Sequence, residues 1–188
     1  MSEGDILKRE PIYQGKVIDV AVETVELPGG SQVDLEMVRH PGGAAAVALD
    51  EQERVCLLRQ FRHAARGWIW ELPAGRLDPG ETPLSTARRE LAEEAGLQAD
   101  DWIDLGPMYS SPGIFDEVIH LWLGRGLTEL PHAHEHGEVI EIHWMPLSQA
   151  LDWCDDGTIT DGKTLVGLYR AGAYLRSQAE MLSEDPGC

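Results

Sequence analysis

Hydrophobic and polar positions change their period several times along this chain, and each change predicts an element. Residues 17–27 are dominated by β-branched side chains, and over residues 32–39 Val33, Leu35 and Met37 alternate with polar neighbours. Pro28-Gly29-Gly30-Ser31 lies between the two runs as a turn, so together they predict a β-hairpin, closed by Pro41-Gly42-Gly43. A hairpin alone is marginal in water and must pack on something. The polar residues up to about 11 read as loosely held. Residues 44–49 and 54–59 predict two further strands around the turn Asp50-Glu51-Gln52-Glu53.

The period then lengthens. Thr82 suits an N-cap, Pro83 the first helical position and Gly96 a C-terminal cap, and residues 84–95 are mostly good helix formers. Leu84, Leu91 and Ala95 form the stripe expected to face a core. Strands follow over residues 102–110 and 117–123, either side of the turn Ser111-Pro112-Gly113. A polar stretch, 128–137, precedes a strand over 139–144. Pro146 opens a short helix through Leu151 and Trp153, ending near Gly157. A final amphipathic helix spans 163–182, with Leu165, Val166, Leu168, Tyr169 and Leu175 available to the core. No simple βαβ series emerges, so the expected class is α/β, a mixed sheet with helices on both sides.

Composition narrows the function. At 188 residues the chain suits one domain with a small appendage, and its 43% apolar and 26% charged residues are ordinary for a soluble globular protein. A formal net charge of −18 argues against a nucleic-acid surface. An anionic small molecule would meet the same repulsion, so metal ions and local arginines would have to supply the attraction. No apolar run approaches the length of a membrane span, and the first residues lack the apolar core of a signal peptide. Cys56, Cys154 and Cys188 have no metal-like spacing and read as reduced thiols of a cytoplasmic protein.

The helix over 84–95 also carries Glu90, Glu93 and Glu94 on one face. Like charges one turn apart cost a few tenths of a kcal/mol in an isolated helix. A hard divalent ion, Mg²⁺ or Mn²⁺, would reverse that cost, while the plainer alternative is a solvated acidic face. The surrounding pattern favours the ion. Gly75, Glu81, Arg89, Glu90, Leu91, Glu93, Glu94, Gly96 and Leu97 match every fixed position of G-x5-E-x7-R-E-U-x-E-E-x-G-U, where U is a bulky apolar residue. This run resembles the signature of the Nudix hydrolases, and the likeness extends over roughly residues 44–180.

The resemblance implies a Nudix-type α/β/α sandwich with a mixed sheet (44–182), a small N-terminal β unit (1–43) used in forming a homodimer, and a flexible tail (183–188). It implies a metal-dependent diphosphatase acting on a small nucleoside diphosphate compound. Glu90 and Glu94 would bind Mg²⁺ directly, Glu93 would bind the metal or its water, and the Ala74 carbonyl would be a further ligand. Arg89 would orient the glutamates, and Glu81 would be a structural or outer carboxylate. Pro112, sixteen residues after Gly96, and the runs Arg59-Gln60-Phe61-Arg62 and Glu71-Leu72-Pro73-Ala74-Gly75 resemble the ADP-ribose pyrophosphatase subgroup.

Arg59 and Arg62 are then candidates for gripping phosphate, against ordinary surface ion pairs. Glu71 and Pro112 join them as candidate substrate-side residues. Trp68 and Trp70 divide between stacking on a base and packing in a core or interface. The general base would be Glu138 or Glu135, in Pro131-His132-Ala133-His134-Glu135-His136-Gly137-Glu138. Glu138 is alternatively a further metal ligand, and the alternating histidines lack a closed zinc set. Asp116-Glu117 reads as a strand cap rather than a substrate contact. The expected reaction is ADP-ribose to AMP and ribose 5-phosphate. The alternatives are GDP-mannose, another nucleotide sugar or FAD as substrate, or a non-catalytic Nudix ligand sensor, which the intact signature disfavours.

Overall fold

The run Gly43–Ala48 has no polar side chain, as suits a strand covered on both faces. In the computed structural model, which describes residues 5–130 and 140–183, it forms β4, the centre of the larger of two units. That unit comprises Gly43–Met108 and the chain from Ile119 on; the smaller comprises the chain up to Gly42 together with Tyr109–Val118.

In the larger unit β4 pairs in parallel with β9 (Val118–Glu129) and antiparallel with β7 (Ala74–Arg76). With β8 (Leu97–Tyr109) they make a four-stranded mixed sheet of order β7-β4-β9-β8. A second, antiparallel sheet runs β10 (Ile140–Pro146), β5 (Arg54–Arg62), β6 (Gly67–Glu71). Side chains alternate along β4 and β5 and thereby divide the core in two. Val47, Val55 and Leu57 join Leu72, Ala150 and Leu168, under α2 (Leu147–Asp155) and α3 (Gly162–Ser183). Ala46, Ala48, Cys56 and Leu58 join Leu91 and Ala95 of α1 (Pro83–Ala95). The result is an α/β/α sandwich. Burial pushes the Cys56 thiol up to about 12, which leaves it inert at neutral pH.

Helix α1 begins and ends where its local signals place it. Thr82 and Ser85 form a reciprocal capping box, Pro83 occupies the first turn, and Gly96 takes φ 62° as the left-handed cap. Its buried face differs by one position from the expected stripe. Ala87 joins Leu91 and Ala95, Leu84 stays half-buried, and Glu90 and Glu94 are drawn in beside them. Among the described residues no helix is long and apolar enough to cross a membrane.

The smaller unit is a three-stranded antiparallel sheet, β1 (Ile6–Gln14), β2 (Asp19–Glu26), β3 (Gln32–Arg39), in that order. The hairpin of β2 and β3 is as expected, but β1 corrects the reading of the first residues as loose. β1 is exposed at every position, so it needs no apolar alternation; backbone pairing with β2 and contacts from Arg9 to Asp19 and Glu23 hold it. Glu23, 2% exposed, also receives Arg39, whose Nη1 donates to Asp116 at 3.1 Å. The Asp116 carboxylate further accepts the His40 amide at 2.8 Å. Tyr109–Val118 thus clusters with this unit, although the sequence reading kept it with residues 44–182. The expected tail beyond residue 183 lies outside the described residues.

Candidate active site

Arg89, on α1, collects the carboxylates of the helix. Its Nε and Nη2 donate to the two oxygens of Glu81 at 2.9 and 3.0 Å. Its Nη1 donates to Glu90 at 2.6 Å and to Glu93 at 3.0 Å, and Nη2 also donates to the Arg76 carbonyl at 3.0 Å. Glu81 in turn accepts from Thr86 Oγ1 at 2.7 Å and from the Asp78 amide at 3.1 Å. The Arg89 guanidinium, with help from Thr86, holds the Glu81 carboxyl down at about 2. The same contacts raise the pKa of Arg89 above its ordinary value. One arginine therefore ties the loop Arg76–Glu81 to the helix and fixes two of its three glutamates.

The backbone of β7 closes the other side. The Ala74 amide donates to Glu94 Oε2 at 2.7 Å. The Glu90 carboxylate lies directly over Gly75, in space that any Cβ would fill. Glu90 and Glu94 are consequently almost buried, at 9% and 5% exposed, while Glu93 is half-buried. A cleft of about 430 Å³ opens over these carboxylates, with Arg62, Arg76 and Arg89 also in its wall. Acid and guanidinium groups thus line one small volume, an arrangement suited to an anion carried together with a cation.

Comparison with known proteins places this geometry. The Nudix domain family model matches residues 39–165, most of the chain. The chain belongs to the Nudix hydrolase family. It is therefore a hydrolase of pyrophosphate bonds, from a family that generally works with divalent metal ions. A Bacillus subtilis (strain 168) protein named ADP-ribose pyrophosphatase is 38% identical over 164 residues, 86% of this chain and 89% of its own. A Bacillus methanolicus protein named methanol dehydrogenase activator is 35% identical over 178 residues, 94% of either chain. The crystal structure of an ADP compounds hydrolase shares the fold, with a TM-score of 0.80 over 95% of this chain and 97% of its own, at 21% identity.

The residues on the Nudix helix fit a hard cation by their chemistry. All three side-chain donors are carboxylates, and the glycine at 75 leaves Glu90 the room it occupies. Among the described residues, no three acidic, histidine or cysteine side chains are already gathered into a metal cage. Arg89 bonds both Glu90 and Glu93, so the carboxylates converge on the guanidinium and on the β7 backbone rather than on one another.

The remaining expected residues are distributed unevenly. Arg62 lies in the cleft wall, and its Nε and Nη2 bond Glu71 at 2.9 and 2.8 Å. Glu71 is 3% exposed and holds Lys163 on its other oxygen at 3.0 Å. Arg59 is three residues from Arg62 on β5 and so projects from the opposite face. It lies 3.6 Å from Glu141 and over the Trp68 ring, outside the cleft wall. Trp70 packs on Trp153 and His143, a core role, and Trp68 packs edge-on against Phe61. Pro112 belongs to the smaller unit, in a turn closed by the Ile114 and Phe115 amides on the Ser111 carbonyl. Glu135, Glu138 and the three histidines beside them lie outside the described residues.

Three further residues near these carboxylates are not singled out by the sequence pattern. Arg76 and Asp78 sit at variable positions of the signature and reach the cleft because β7 leads directly into it. Lys163 meets Glu71 across 92 residues of chain, a pairing with no local signal.

Proposed function

We propose that this Nudix hydrolase cleaves ADP-ribose to AMP and ribose 5-phosphate. Water attacks one phosphorus of the diphosphate, the bridging P–O bond breaks, and each product leaves with one phosphate. The observation that most supports the reading is the convergence of the α1 carboxylates, the Gly75 backbone and the Arg62 guanidinium on one cleft. The likeness to the ADP-ribose pyrophosphatase of Bacillus subtilis directs the choice of substrate.

Glu90, Glu94 and the Ala74 carbonyl would hold Mg²⁺, with Mn²⁺ able to replace it, and Glu93 would bind directly or through water. When bound, the ion neutralises diphosphate charge and supports the attacking water. The chain's own residues do the rest. Arg89 holds Glu90 and Glu93 in register. Arg62 offers a guanidinium to a phosphate oxygen. Glu138 or Glu135 takes the proton of the attacking water. Arg59 would meet substrate only beyond this cleft wall, and Pro112 is a candidate substrate contact carried by the smaller unit.

The reading includes a homodimer in the cytoplasm, formed through the N-terminal β unit. Its exposed strand β1 carries Ile6, Leu7, Ile12 and Tyr13, each half or more exposed, an apolar edge suited to a second copy.

A phosphatase-coupled phosphate-release screen with Mg²⁺ tests the substrate, over ADP-ribose, GDP-mannose, UDP-glucose and FAD. ADP-ribose is expected to lead by about tenfold or more, some 1.4 kcal/mol of transition-state discrimination. A preference for GDP-mannose would replace the substrate and keep the chemistry. Absence of any turnover would favour a ligand sensor.

A further inference from the structure

We propose that Lys163, at the start of α3, is a positioning residue for the reaction, acting on the cleft through Glu71 and Arg62. The inference rests on the reading of Arg62 as a phosphate contact. Four charged side chains form one line. Arg62 reaches Glu71 Oε2 at 2.8 Å, Lys163 reaches Glu71 Oε1 at 3.0 Å, and Lys163 also reaches Asp161 Oδ2 at 3.0 Å. The line is buried most deeply at Glu71: the side chain of Arg62 is 38% exposed, Glu71 4%, Lys163 12% and Asp161 17%.

Each carboxylate oxygen of Glu71 thus has its own cation. A buried carboxylate facing Arg62 alone would draw the guanidinium inward and cancel its charge. Lys163 supplies the second cation, so Arg62 is held by a fixed two-point contact while its charge still acts on the cleft. Without Lys163 the group Arg62, Glu71 and Asp161 carries a net negative charge beside a site for a diphosphate.

The anchor is rigid because it is shared with the backbone. Asp161 caps α3, accepting the Thr164 amide at 3.0 Å. Thr164 is fully buried, donates its hydroxyl to Asp161 at 2.6 Å and accepts the Leu72 amide at 2.9 Å. Leu72 lies two residues before Ala74. The first turn of α3 therefore fixes the approach of both the guanidinium and the β7 backbone to the cleft.

The test compares wild type, Lys163→Met, Arg62→Met and the double variant. For the nucleoside diphosphate compound that wild type cleaves best, Lys163→Met is expected to raise KM about tenfold with kcat within about threefold, the pattern of lost binding rather than lost chemistry. In the Arg62→Met background it should add nothing, since the two act as one unit. An unchanged KM, or an equal loss of kcat in both backgrounds, overturns the proposal. The Arg62 Nε–H, followed by ¹⁵N NMR hydrogen exchange, gives a readout that needs no turnover. Lys163→Met, by letting Glu71 draw the guanidinium inward, should slow that exchange about tenfold, and unchanged or faster exchange also overturns the proposal. A wild type that cleaves none of the compounds overturns the functional reading instead, and the exchange measurement then decides the role of Lys163.

Discussion

The carboxylate of Glu90 lies over the α-carbon of Gly75, in the space a Cβ at that position would take. The β7 backbone is the fixed side, so the end of the Glu90 side chain is what must give. Gly75 is in the β7 pairing with β4, and Glu90 is held by Arg89 on a capped helix. Gly75→Ala should therefore move the carboxylate and spare the core. Misplacing a site group by about 1 Å can cost about a hundredfold in rate, and that is the expected fall in kcat. Near-UV circular dichroism should match wild type. A variant with full activity would show that the position of Glu90 is immaterial.

The pair Glu81–Arg89 predicts a pH dependence of stability. The folded carboxyl of Glu81 lies at about 2, below its ordinary value of 4.5, chiefly through Arg89. A depressed carboxyl stabilises the fold above its unfolded pKa, and the contribution is lost as pH falls through the folded value. The loss therefore spans the window from 4.5 down to about 2. Urea unfolding across that window should show a shallower fall for Glu81→Gln than for wild type. Parallel curves would mean that Glu81 does not titrate as the contacts require.

Arg170 predicts a purely structural effect. Its Nη1 donates to the carbonyls of Leu105, Gly106 and Pro107 at 2.9–3.0 Å, joining α3 to β8 where Gly106 takes φ 83°. Arg170→Met should cost about 2 kcal/mol, the scale of hydrogen bonds from a charged donor. Calorimetry should then show Tm lowered by about 5 °C in a chain of this size. The kcat of the folded variant should be unchanged, because Arg170 is not among the cleft residues.

How much of this was legible in the sequence follows from the range of each interaction. Helix α1 was legible to its caps because Thr82, Pro83 and Gly96 act within a turn. The grouping of Glu90, Glu93 and Glu94 was legible for the same reason, being a matter of helical spacing. Strand β1 was not, because an exposed strand carries no burial pattern to read. Arg59 and Arg62 appeared as one group because period-2 alternation separates them only once the strand is known to run through both. Lys163 and Glu71 are 92 residues apart, so only the fold joins them.

The apolar edge of β1 predicts the assembly state. Ile12 is 62% exposed, so aspartate there removes no core contact. Ile12→Asp should yield a folded monomer by light scattering under conditions where wild type is a dimer. A variant that stays dimeric would remove β1 from the interface.

Glu94→Gln separates charge from shape. The amide oxygen of glutamine can still accept the Ala74 N–H that Glu94 accepts at 2.7 Å, so the contact between α1 and β7 survives. What disappears is one of two like charges spaced four residues apart on the same face, a pair that by itself opposes the helix. Without metal, the variant should keep the wild-type near-UV circular dichroism. With saturating Mg²⁺, kcat should fall by about 10²–10³, the scale set by removing one group that organises charge in a transition state. Added Mg²⁺ should also raise the variant's Tm less than wild type's, since a ligand stabilises in proportion to its affinity for the folded state. Activity within a few-fold of wild type would remove Glu94 from the metal site, whatever the melting curves show.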